Sequence, residues 1–278
     1  MNSTLHDFRF AGVDGVRSIV IAVGLSLCVC AASAQTLEVA IGFAGEADSD
    51  AWHGAVQGLA EANAQGKFLG VHYALAHLDS DADAGASGFA AVVAALEPPA
   101  LVALAHTLPG TPVINVNEED DALRADCRTH VFHTIPSTAM RADAVMQWQQ
   151  QHPGSAVVAQ AWHPDFEKYA AVQLNRRYRE TAGRPMNDVA WAAWAAVKLV
   201  SDLIARLQDA DPAILLAALQ GPLAFDGQKG VDMSFRDTGQ LRQTLLLVEN
   251  GEIVAEAPVR GVVDPDDLDS LGLRACQP

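Results

Sequence analysis

Leu37-Glu38-Val39-Ala40-Ile41-Gly42-Phe43, followed by Ala51-Trp52-His53-Gly54-Ala55-Val56-Gln57-Gly58-Leu59-Ala60-Glu61-Ala62-Asn63, is the stretch on which the fold turns. The first run is short and mostly apolar, the pattern of a strand buried on both faces. The second places Ala55, Leu59 and Ala62 on one helical face. A strand leading into a helix opens a βαβ unit, and the alternation continues downstream. Residues 68–76 are predicted as a second strand and 85–96 as a second helix. Residues 100–105, 112–116 and 131–135 read as strands three to five, and Ser137 caps a helix to about Gln151. Residues 156–161 read as a sixth strand. This order predicts an α/β fold with a doubly wound parallel sheet, in which ligands bind beyond the carboxyl ends of the strands.

After Trp162 the alternation stops. Residues 166–182 and 187–207 read as two long helices broken at Gly183-Arg184-Pro185, and Asp211 caps a third over 212–219. Residues 241–249 and 253–259 form a predicted β-hairpin turned at Asn250-Gly251. The chain thus divides into 1–34, an α/β lobe over 35–162, and a mostly helical part with the C-terminal hairpin over 163–278.

The first segment reads as a secretory signal peptide. Arg9 and Arg17 precede the apolar run Ile19-Val20-Ile21-Ala22-Val23-Gly24-Leu25-Ser26-Leu27-Cys28-Val29-Cys30, and Ala32-Ser33-Ala34 offers small residues for cleavage after Ala34. The run is shorter than the roughly 20 apolar residues a membrane span needs. Export to the periplasm is the expectation. A formal charge of −16 argues against nucleic acid and anionic membrane surfaces, though a pocket's potential is set locally. Cleavage removes Cys28 and Cys30 and leaves Cys127 and Cys276, which in an oxidising space are most simply one disulfide. A two-cysteine metal site, the alternative, lacks His or Cys partners at finger spacing. The chain holds no G-x-S-x-G elbow, H-E-x-x-H, phosphate loop or dinucleotide fingerprint, so it is read as a non-enzyme.

Several fragments resemble the type I periplasmic solute-binding proteins of the branched-chain-amino-acid type. They are Ile41-Gly42-Phe43 with Gly54-Ala55-Val56, then Ala192-Ala193-Trp194-Ala195-Ala196-Val197-Lys198. Phe225-Asp226-Gly227 with Gly230-Val231-Asp232-Met233-Ser234-Phe235 and Asn250-Gly251-Glu252-Ile253-Val254 complete the set. A narrower similarity runs through Val113-Ile114-Asn115-Val116-Asn117, Asp120-Asp121-Ala122-Leu123-Arg124, and His133-Thr134-Ile135-Pro136-Ser137. It continues in Gly183-Arg184-Pro185-Met186, Gly239-Gln240-Leu241-Arg242-Gln243 and Leu271-Gly272-Leu273. These resemble the subgroup associated with pyrroloquinoline-quinone (PQQ) alcohol-dehydrogenase systems, which tends to carry a Cys in each of the regions of Cys127 and Cys276. The resemblance implies capture of a small molecule, PQQ or a related anionic aromatic, for an ABC importer. It also leaves room for an amino acid, for an alcohol-oxidation product, or for a protein-interaction role beside a periplasmic dehydrogenase. Only Trp162-His163-Pro164-Asp165 stands where the second lobe's own parallel sheet is expected, so that lobe is shortened.

The loops after the predicted strands nominate His106, Thr107 and Asn117 as ligand contacts, or else as loop-stabilising polar groups. PQQ is planar with three carboxylates and needs aromatic faces and cations. Trp162 and Trp191 are the stacking candidates, and Arg124, Lys168 and Arg242 the charged ones. No cofactor is required, PQQ entering only as ligand. No metal is expected: Asp79-Ser80-Asp81-Ala82-Asp83 opens like a calcium loop, but Ala84 and Ala90 stand where glycine and glutamate are needed.

Overall fold

Strand β1 (Leu37–Ala44) pairs with β2 on one side and β3 on the other in a five-stranded parallel sheet of order β2-β1-β3-β4-β5. The computed structural model describes residues 36–78 and 88–276, so the export segment and the Asp79–Asp83 carboxylate run lie outside the described residues. The other strands are β2 (Val71–Leu78), β3 (Ala91–Ala94), β4 (Val113–Asn115) and β5 (Val131–His133). Alternate side chains of the sheet enter different cores, as a pleat requires. Ala91 and Val93 join the core under two long helices, whereas Val92 and Ala94 pack with Leu101, Leu104 and Val113 on the other face.

Those long helices are α1 (Asp50–Leu69), capped by the Ser49 side chain, and α6 (Asp188–Leu207), capped by Asn187. Helix α6 is apolar nearly all round and is buried accordingly. It approaches α1 so closely that a Cβ on Gly54 would lie 2.0 Å from the Ala190 carbonyl oxygen, and one on Gly58 3.0 Å from that of Trp194. The two glycines therefore let backbone meet backbone. Glu61 then knits three helices together, accepting from Trp194 Nε1, Gln57 and Arg177, the last on α5 (Ala171–Ala182).

Two predicted elements exchange character. Residues expected in a second helix carry β3, and the expected third strand, 100–105, lies inside α2 (Pro98–Thr107). Pro98 at the first helical turn, where its missing N–H costs nothing, starts that helix. Val92 and Val93, β-branched and flanked by alanines, suit a buried strand instead. The helix predicted over 166–182 begins only at Ala171.

A further correction concerns residues 156–161. They supply β6 (Val158–Gln160), which does not extend the parallel sheet but pairs antiparallel with β7 (Leu245–Glu249). Strand β7 turns through Asn250-Gly251, both at positive φ, into β8 (Glu252–Ala257). Its alternate residues face two cores: Leu246 and Val248 enter the α1–α6 core, while Leu245 and Leu247 pack with Met140 and Ala144 of α4 (Thr138–Gln151). The remaining helices are α3 (Asp121–Ala125) and α7 (Pro212–Leu219), capped by Asp120 and Asp211. Gln35–Pro278 is one compact unit, with Ile41 and Trp162 in the same buried cluster as Trp191. Among the described residues no helix is long and apolar enough to cross a membrane.

Candidate functional site

Beyond the carboxyl ends of β1, β2, β3 and β4 lies an open cleft of about 770 Å³. It sits where the strand order reverses about β1, the position at which open α/β sheets bind ligands. Its floor is small: Gly45, Ala51, Ala95 and Ala100, with Leu78 and Leu96. Gly45 (φ +156°) leaves β1 so near Ala95 that a Cβ would meet its carbonyl oxygen at 3.0 Å. Polar groups come from Glu46, Ser49, Asp50, His77, Glu97 and Asn117, and Val189 of α6 closes one side.

Each polar group is placed by its element. Ser49 accepts from the Trp52 N–H as the α1 cap and donates to the Glu46 carbonyl, which fixes the turn between β1 and α1. Asp50, in the first turn of α1, accepts from Asn187 Nδ2 at 2.7 Å and pairs with Arg184 at 3.3 Å. His77 hydrogen-bonds the Gly45 carbonyl through Nε2 at 2.8 Å, its ring beside Phe43 and Trp52.

Asn117 is held from below. Buried Asn115 accepts from the Asn117 and Glu118 N–H groups and donates to the Glu118 carbonyl at 2.7 Å. Its amide also meets His133 Nδ1 at 3.0 Å, which makes that nitrogen an acceptor. His133 is neutral accordingly: burial, reinforced by the Arg124 charge, drives its pKa well below the usual value. Arg124 donates to the Glu118, Asp120 and Ile135 carbonyls and to Gln240 Oε1. Burial lowers its pKa to about 10, so it stays charged at neutral pH.

Among the predicted contacts, Asn117 alone lines the cleft. Arg124 is 1 % exposed and spends its guanidinium on the loop beneath. Trp162 and Trp191 stack on each other in the core with centroids 6.0 Å apart, and their N–H groups go to Asn175 and the Gly227 carbonyl. Lys168 pairs with Glu256 on β8. Arg242 is committed to Asp269 and the Phe235 carbonyl. His106 meets Arg128, and Thr107 donates to the Ala103 carbonyl, both at the far end of α2 from the cleft. Cys127 and Cys276 are disulfide-bonded, as expected.

Sequence reasoning missed Gly45, Glu46, Ser49, Asp50, His77 and Glu97. The residues directly after β1 were the available signal. It also missed Lys229, whose ammonium is buried 3.9 Å over the Trp191 ring, donating to Gln243 Oε1 and the Thr244 carbonyl. Among the described residues no group of three or more His, Cys, Asp or Glu side chains is arranged to hold a metal.

No protein-family model matches the sequence, and no curated protein matches it. Solved structures do. An ABC transporter substrate-binding protein from Desulfitobacterium hafniense is 15 % identical with a TM-score of 0.66, over 78 % of this chain and 99 % of its own. A branched-chain amino acid ABC transporter periplasmic ligand-binding protein from Burkholderia xenovorans is 10 % identical (TM-score 0.65), over 78 % of this chain and 95 % of its own. A solute-binding protein from R. palustris in complex with benzoate is 11 % identical (TM-score 0.59), over 79 % of this chain and 95 % of its own. The five-stranded parallel sheet with its helices therefore has the fold of a type I periplasmic binding-protein lobe, accompanied here by an antiparallel sheet.

Proposed function

We propose that this chain is an exported, non-enzymatic solute-binding protein that takes a small molecule into the cleft at the carboxyl ends of β1–β4 and passes it to an ABC importer. The carrying observation is the cleft itself, open, of ligand size, and located at the strand-order reversal. Support comes also from neighbours described as ABC transporter substrate-binding proteins, one determined with leucine and one with benzoate. The periplasmic location rests on those neighbours and on the leader-like sequence before Gln35.

PQQ is the second reading, favoured by the subgroup resemblance. The cleft offers it little: among the described lining residues there are carboxylates from Glu46, Asp50 and Glu97 and no Lys or Arg. A thermal-shift panel of amino acids, aromatic acids, alcohol-oxidation products and PQQ tests the proposal, because a ligand bound at about 100 times its Kd adds roughly 2.7 kcal/mol of stability. At least one solute is expected to raise Tm in a saturable way. A flat response across the panel, with the dehydrogenase co-purifying instead, contradicts solute binding and supports a protein-accessory role.

A further inference from the structure

We infer that the Cys127–Cys276 bridge is an exchange-active disulfide, open to attack by a dithiol, whose opening loosens the loop that presents Asn117 to the cleft. The inference does not depend on which solute the cleft takes. The bridge forms part of the wall of a second cavity, of about 360 Å³, at the amino end of β5 and thus at the opposite end of the sheet from the cleft. Cys276 is exposed, which gives a thiolate a way in. Cys127 stands at φ +46°, in the left-handed region that a residue with a Cβ avoids. Exposed or strained bridges are the ones that exchange readily. Arg128 adjoins Cys127 in the cavity wall, and its Nε is buried with no acceptor, while its other nitrogens meet His106 and Asp126. A cation beside a cysteine stabilises its thiolate and makes it the better leaving group.

The exchange balances. One thiolate of the dithiol attacks Cys276 Sγ, the S–S electron pair leaves on Cys127 Sγ, and a mixed disulfide with Cys276 forms. The second thiol of the dithiol loses its proton and attacks its partner sulfur, expelling the Cys276 thiolate. The two protons given up by the dithiol return to the cysteines, so the chain gains two thiols and the dithiol becomes a disulfide. Opening is local because the tail has other anchors. Arg236 donates to the Leu268 and Leu273 carbonyls, the Gly272 N–H donates to Asp143, and Leu271 is buried. The change therefore falls on the Cys127 side. Asp126 is already in the right-handed helical region, and the Cys127 N–H is donated to the Arg124 carbonyl. Once free, Cys127 returns to negative φ and prolongs the turn of α3, which moves Arg124. That residue holds the Glu118 and Asp120 carbonyls of the loop whose Asn117 lines the cleft.

Dithiothreitol is the probe, with alkylation and mass spectrometry counting free thiols in the native protein. The bridge should open at a rate unchanged by about 1 M urea, whereas a route through global unfolding would speed up about tenfold or more. Arg128→Gln should slow opening about threefold. In the reduced protein and in Cys276→Ser, amide hydrogen exchange should quicken about tenfold at Asn117 and Glu118, whose N–H groups Asn115 accepts. Val92 and Val116, bonded within the parallel sheet, should keep their protection. Steep acceleration by urea, equal rates in wild type and Arg128→Gln, unchanged exchange at Asn117 and Glu118, or protection lost throughout the sheet each overturns the inference and leaves the bridge a static tether.

Discussion

Asn115 uses all its hydrogen-bonding capacity within a few ångströms, and the loop that presents Asn117 depends on it. Asn115→Ala leaves the Asn117 and Glu118 N–H groups and His133 Nδ1 short of partners. We expect a loss of about 2–3 kcal/mol in urea unfolding, together with weaker solute binding. Lys229 supplies a pH prediction. Burial lowers its pKa from 10.5 to about 7. Between those values the unfolded chain holds the proton that the folded chain has released. Stability therefore rises with pH from about 7 toward 10.5, and the cost of burying the ammonium is present in full below 7. Lys229→Met should flatten that rise when unfolding free energy is measured across the window; an unchanged slope would contradict it. At this scale the sequence was least legible. Arg124, Trp162, Trp191 and Arg242 have the chemistry of ligand contacts, but that chemistry is spent inside the protein. Side-chain type names what a residue can bond, not whether its partner is a ligand or a carbonyl four residues away.

The α1–α6 contact is the element on which the lobe depends. Gly54→Ala would drive a Cβ into the Ala190 carbonyl, backbone that cannot step aside. The expected cost is about 3 kcal/mol or more, read as a lower urea midpoint, whereas Gly70→Ala meets open space and suffers only its left-handed φ of +69°. Equal losses at the two sites would contradict the packing. Caps and turns were legible in the sequence because their signals are local. Ser137 and Asp211 each cap the helix assigned to them, and Asn250-Gly251 turns the hairpin. The exchange between β3 and α2 was not legible, because apolar runs this short carry no clear period. That exchange had a consequence for the site. Placing a strand over 100–105 moved the expected binding loop to His106-Thr107, at the wrong end of α2, and hid Glu97 and Ala100 at its start.

At the scale of the molecule, the parallel sheet, the long helices and the Cys127–Cys276 link across a sequence separation of 149 all follow from patterns readable along the chain. Closing so long a loop contributes about 4–5 kcal/mol by the chain-entropy argument. The cleft does not follow from pattern, since its floor is glycine and alanine and its position depends on the order of strands. Strand β6 was misplaced for the same reason: pairing with β7 is a long-range choice that its own residues do not encode. Solute is proposed to bind in the cleft beyond β1–β4. Ala100 lines that cleft from α2 with an exposed side chain, so Ala100→Trp fills the space without disturbing the core. Titration calorimetry with a solute that shifts Tm should give saturable binding to the wild type and at least about tenfold weaker binding to Ala100→Trp. Equal affinity in the two proteins would place the solute elsewhere and contradict the account.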